Sequence, residues 1–193
     1  MDGRTGAIRG TIPDAAGSAA AGAGSVWIPN NQGTVLNRVD PKTLKIQKVI
    51  RLHSGNVAFD GHFIWSAPAP VGEDRMAKGN LAKIDPATNS VVANYRVPPM
   101  RELSMTYGFG ALWFKPPDAS ALYRFDVSSG RTTSTALEEW QSLTSFFDQP
   151  IAIGSGSLWL RASDGIVVRI DPSNSQVVGS YTADPSGGGG FPL

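Results

Sequence analysis

Two histidines, His53 and His62, are the only side chains in this 193-residue chain that titrate near neutrality without help from their surroundings. A general base would be sought at one of them first. His53 opens the polar connection HSGNV (53–57) and reads as a base candidate or an exposed loop residue; His62 lies in the turn of FDGHFIWSA, where solvent is its expected neighbour. The acidic pairs Glu73-Asp74 and Glu138-Glu139 offer oxygen ligands for a divalent ion but lack the spacing of an EF-hand loop. Arg75, Lys115 and Arg161 recur in one kind of connection, so they could converge on an anionic or carbonyl-rich ligand. Trp140 falls in a long insertion, where its ring would cover a ligand or pin the insertion to a sheet edge. There is no Cys, which excludes disulfides, thiol catalysis and Cys-ligated zinc. P-loop, G-x-S-x-G and H-E-x-x-H motifs are absent.

The elements that carry these residues repeat. Aligned on tryptophan, the chain reads GAGSVWIPN at Trp27, FDGHFIWSA at Trp65, GFGALWFKP at Trp113 and GSGSLWLRA at Trp159, in steps of 65 − 27 = 38, 113 − 65 = 48 and 159 − 113 = 46 residues. After each Trp comes an alternating segment that ends in aspartate (Asp40, Asp85, Asp126, Asp171), and then a further β-rich segment. A period of roughly 40 to 45 residues made only of strands is the signature of propeller blades. The spacing predicts an all-β β-propeller of four-stranded antiparallel blades, strands A to D, over residues 14–53, 54–100, 101–137 and 148–183 of one domain. Only residues 136–147 hint at a helical turn.

The repeated residues have structural tasks in this scheme. Each Trp is expected to pack between neighbouring sheets, with its N–H on a backbone acceptor. Each Asp is expected to make the C-to-D turn by bonding backbone two residues on, and Pro fixes the next φ in three of the four. Small residues at Ala19 to Gly24 suit an innermost strand A. In an up-and-down blade the D-to-A and B-to-C connections share one end, and here they are the long, irregular ones: 29–33, 53–57, 66–80, 98–104, 115–120, 136–150 and 161–165. Binding residues concentrate on such connections. His53, Arg75, Lys115, Trp140 and Arg161 are therefore the candidate ligand-binding set.

Placing Asp2 on Asp40 puts Thr5 on Thr43 and Ile12 on Ile50 without a gap, so residues 1–13 read as strand D of a preceding blade. Residues 184–193 read as the start of a next one. Four complete blades with two uncovered faces point to an arc of a larger propeller, or to two copies that close a ring; a self-contained four-bladed ring is the third arrangement. The formal net charge of +1 and the 17% of charged residues give no basic footprint for nucleic acid and no basic amphipathic helix for membranes. No apolar run reaches the roughly 20 residues of a membrane helix, and no signal peptide is readable, which leaves the compartment open, extracytoplasmic included.

The pattern G-x-G-S-[VL]-W followed by R-[IV]-D-P and a V-V strand resembles the repeats of the virginiamycin B lyase (streptogramin lyase) family and the wider YVTN-type propellers. The resemblance implies a bacterial, seven-bladed parent. In the lyases it implies an elimination that opens an ester-closed antibiotic ring, with a histidine base and a glutamate-held magnesium ion. Neither His53 nor His62 matches that motif, so no catalytic residue is carried over, and magnesium is expected only under the lyase reading. The expected function is a non-catalytic scaffold or sensor that binds a small molecule, polysaccharide or protein on the loop-rich face. Its rivals are a lyase-type enzyme with catalytic residues outside this chain, and an interaction platform with no small ligand.

Overall fold

Apolar-polar alternation, interrupted at one end of each sheet by Gly-containing A-to-B turns and Asp-containing C-to-D turns, produces sixteen short strands among the described residues. A computed structural model of the chain describes residues 5, 7, 8, 10–68, 79–100, 104–115, 121–137, 151–161 and 166–182. The first sheet holds β1 (Ala20–Gly22), β2 (Ser25–Pro29), β3 (Val35–Val39) and β4 (Ile46–Arg51). The second holds β5 (Asn56–Phe59), β6 (Ile64–Ala67), β7 (Asn80–Asp85) and β8 (Ser90–Arg96). The third contains β9 (Thr106–Gly108), β10 (Ala111–Phe114), β11 (Ala121–Asp126) and β12 (Thr132–Ala136). The fourth contains β13 (Ala152–Gly154), β14 (Ser157–Arg161), β15 (Ile166–Ile170) and β16 (Val177–Thr182). Each sheet is four-stranded, antiparallel and in sequence order, which is the strand order of a propeller blade. No helix occurs among the described residues.

The chain divides into two compact units, Met1–Arg96 and Val97–Leu193, with two blades each. In the first unit Trp27, Leu36 and Ile50 of the first blade pack against Val57, Ile64 and Ile84 of the second. In the second unit Ala111, Trp113 and Leu122 pack with Leu158, Leu160, Val168 and Ile170. Both cores follow one rule: the Trp-bearing face of a blade is covered by the opposite face of the blade that follows. Each large side chain removed from water in this way contributes about 1.5–3 kcal/mol.

The tryptophans are fixed by the same local geometry. The indole N–H of Trp27, Trp113 and Trp159 donates to the carbonyl of Gly22, Gly108 and Gly154 at 3.0, 3.0 and 2.9 Å, the backbone acceptor expected for a buried ring. In the second blade the A-to-B turn is longer, and Trp65 donates to the Asp60 carboxylate at 2.7 Å instead. Directly across each ladder stands a cation: Arg38, Lys83, Arg124 and Arg169 are the strand partners of Trp27, Trp65, Trp113 and Trp159. Their charged groups lie 5.1 to 5.8 Å from the indole centroids, within reach of a cation–π interaction.

The leading strand D expected at residues 1–13 falls partly outside the described residues; those described, 5, 7, 8 and 10–13, are not in a strand. The helical turn expected within 136–147 falls almost wholly outside the described residues, and the blade start expected at 184–193 falls entirely outside them.

Candidate ligand-binding end of the blades

The two ends of the blades differ in how fully their polar groups are engaged. At the A-to-B end, three hairpins turn on Ala23-Gly24, Phe109-Gly110 and Ser155-Gly156, all with left-handed φ between 49° and 73°, as two-residue type I′ turns require. The C-to-D turns of the same end are closed by aspartate. Asp40 accepts from the backbone N–H of Lys42 and Thr43 at 2.8 and 2.9 Å; Asp85 accepts from that of Ala87 at 2.8 Å. Asp126 accepts from Ser128 and Ser129, and Asp171 from Ser173, through both hydroxyl and backbone N–H. At Asp40, Asp126 and Asp171 these bonds favour the ionised form. The backbone N–H groups of Thr43 and Lys42 hold Asp40 below its ordinary value, the hydroxyl of Ser128 and the N–H of Ser129 hold Asp126 well below it, and Ser173 does the same for Asp171. Four carboxylates committed to turns are not free for a metal or for proton transfer.

The opposite end, where B meets C and D crosses to the next A, presents unengaged groups. Asn30 shapes the first B-to-C turn: its Oδ1 accepts from the N–H of Thr34 and Val35 at 2.9 and 3.1 Å, and its Nδ2 donates to Thr34 Oγ1 at 3.3 Å. Val35 pairs with Arg51 at the end of the β3–β4 ladder. Beside that pair an open depression of about 460 Å³ is lined by Thr34, Val35, Arg51, Leu52 and His53. Its rim is stiff, because Ser54 N–H donates to the Gly33 carbonyl at 3.0 Å and Ser66 Oγ to Ser54 Oγ at 2.8 Å. Arg51 and His53 are exposed, and neither side chain has a hydrogen-bond or ion-pair partner among the described residues. The depression thus offers a guanidinium, an imidazole and a hydroxyl beside an aliphatic wall. That set suits a carboxylate, sulfate or phosphate carried on a partly apolar ligand.

The other residues singled out from the sequence are distributed differently. Lys115, expected on the ligand face, is only 3% exposed just past the end of β10, and its carbonyl accepts from Ser104 Oγ at 3.3 Å. Arg161 ends β14, half-buried and opposite Val167. Arg75, Trp140, Glu73-Asp74 and Glu138-Glu139 lie outside the described residues, and with Arg75 so does the three-cation convergence. His62 is exposed at the turn end, where its backbone N–H donates to Asp60 Oδ1 at 2.7 Å. Among the described residues no cluster of three His, Asp or Glu could hold a metal ion. Sequence reasoning missed Arg51, which reads as an ordinary outward residue of strand D. Its place two residues before His53 was the available signal.

No family model and no curated protein sequence matches the chain. Its structural neighbours are β-propeller proteins. Streptogramin B lyase is similar with a TM-score of 0.64 and 14% identity, over 89% of this chain and 55% of the other. Glutaminyl cyclase of Myxococcus xanthus gives a TM-score of 0.60 at 14% identity, over 88% and 72%. The Pan2 WD40 domain of Neurospora crassa gives 0.61 at 13%, over 87% and 49%. The chain thus spans about half the length of the lyase and of the Pan2 domain. Likeness at this level of identity is a likeness of fold and carries no activity across.

Proposed function

We propose that the chain is a non-catalytic β-propeller scaffold or sensor that binds its ligand at the loop-bearing end of the blades. The observation that carries this reading is the depression at Thr34, Arg51, Leu52 and His53, where a cation and an imidazole stand without partners on a hydrogen-bonded rim. The ligand it fits is an anionic group on a small molecule, an acidic polysaccharide or a peptide carboxylate. A lyase-type reading, with its catalytic residues outside this chain, has no comparable observation behind it.

Titration with inorganic sulfate and with a glucuronate oligosaccharide, followed by amide chemical shifts, tests the reading. Shifts confined to residues near 30–34 and 51–55 are expected. Arg51→Ala should weaken binding by about tenfold, since a charge-assisted hydrogen bond contributes about 1.5–3 kcal/mol. Saturating probe without a localised response, or equal response in Arg51→Ala, would remove this site.

A further inference from the structure

Cations are spread unevenly over the outer strands. Between its turn aspartate and the end of strand D the first blade carries Lys42, Lys45, Lys48 and Arg51 with no further carboxylate, and His53 follows. The corresponding stretch holds one cation in the second blade, Arg96, one in the third, Arg131, and none in the fourth. All four cations of the first blade are exposed. Lys42 stands beside Asp40 and helps to keep it ionised, whereas no hydrogen bond or ion pair engages the side chains of Lys45, Lys48 and Arg51 among the described residues.

The strand that bears these cations is also a sheet edge. β4 is last in the order β1-β2-β3-β4, and its ladder to β3 is its only one among the described residues. Blades pack face to face, so a neighbouring blade does not cover the row of backbone N–H and C=O groups on the outer side of a strand D. Ile46 pairs with Val39 and Lys48 with Arg38, which makes Gln47 an extra residue and leaves 48–51 as the regular edge. Ile46 and Val49 are 46% and 48% exposed. Where the strand ends, the depression of Arg51, Leu52 and His53 begins. Cations, edge and depression are thus continuous over about 20 Å, the length of a short strand.

Lysine on an edge strand commonly guards it against pairing. A guard is needed on every edge, yet β12 and β16 have no charged residue and β8 has one only at its end. The charge along β4 is of one sign, so it repels a second β4 and attracts an acidic chain. Complementarity selects the occupant. An acidic polysaccharide satisfies the cations alone; an acidic peptide satisfies the cations, the unpaired backbone and the exposed aliphatic side chains together.

We propose that the outer edge of β4 takes an acidic, extended peptide segment of a partner protein as a fifth strand of the first blade, with a carboxylate of that segment seated at Arg51 and His53. The seat at Arg51 rests on the proposed ligand-binding function, and the pairing along β4 goes beyond it. Main-chain hydrogen bonds hold such a segment and its alternate side chains give specificity. The pattern that fits is itself alternating: acidic side chains on the face of Lys48, apolar ones on the face of Val49, and a carboxylate at the end beside Arg51.

Calorimetric titration of the full chain with a hexapeptide of alternating Glu and Val, its C-terminal carboxylate free, is the test. Two further peptides carry N-methyl groups on one or the other alternating set of residues. A strand pairs through one of the two sets only. One methylated form is therefore expected to bind about tenfold more weakly than the parent, and the other about as well. The double variant Lys45→Glu, Lys48→Glu, its fold verified by a cooperative melt, should bind the parent about tenfold more weakly, and bound parent should slow deuterium exchange in β4. Equal affinity for all three peptides, equal affinity for a glucuronate oligosaccharide and the parent, or unchanged affinity in the double variant overturns the proposal. A glucuronate response near residues 51–55 without discrimination between the methylated forms keeps the anion site and removes the added strand. Discrimination at undiminished affinity in Arg51→Ala keeps the added strand and removes the seat.

Discussion

Glycine in the G-x-G stretch before Trp27, Trp113 and Trp159 serves two purposes at two positions. The second glycine takes a left-handed φ in the turn, 73° at Gly24 and 72° at Gly110, while the first lies where the next blade approaches. Gly22→Ala should therefore cost about 1–3 kcal/mol by overpacking against the Phe59 ring, and Gly108→Ala less, because it meets the movable end of the exposed Ile153 side chain. Gly154→Ala meets open space and should change stability by less than about 0.5 kcal/mol. Chemical denaturation of the three variants checks the contrast, and equal losses would show that the glycines are kept for backbone conformation alone. Asp60 replaces a backbone acceptor in the second blade. It takes the Trp65 indole at 2.7 Å and the N–H groups of His62 and Phe63 at 2.7 and 2.6 Å. Asp60→Ala removes the carboxylate that accepts from the buried indole and from two backbone N–H groups and should cost about 1–3 kcal/mol in the same assay.

Turns decide the blades at the level of elements, and they carry a pH signature. Asp40, Asp126 and Asp171 are all held below the ordinary carboxylate value by hydrogen bonds that exist only in the fold. A group with a depressed folded pKa contributes stability above its unfolded value and loses it as pH falls through the folded one. Stability should thus decline from about pH 4 downward. Asp126→Asn should flatten that decline and lower stability at neutral pH, as followed by thermal melts across the acid range. At the A-to-B end Phe109 holds φ 54° with its ring 43% exposed, so Phe109→Asn, a residue at ease in that conformation, should stabilise by about 0.5–1 kcal/mol. These turns are also why the strands were legible: Asp-Pro and G-x-G punctuate a period-two alternation that admits one register. The site was legible only at His53. Arg51 looks like any outward cation until the Val35 pairing sets it beside a depression, and Lys115 looks like a loop charge until the fold buries it.

Across the whole molecule, stability in a repeat architecture is a sum of blades and the interfaces between neighbours. The burial of inner strands shows where that sum is short. The first three residues of β5 are buried, whereas β13 is exposed along its length, as is most of β16. Fewer buried contacts lower the free energy of local opening. Backbone amides of β13–β16 should consequently exchange with deuterium sooner than those of β5–β8 in dilute protein. A uniform exchange rate across the two sets of strands would show that the exposure of β13 and β16 does not loosen the fourth blade.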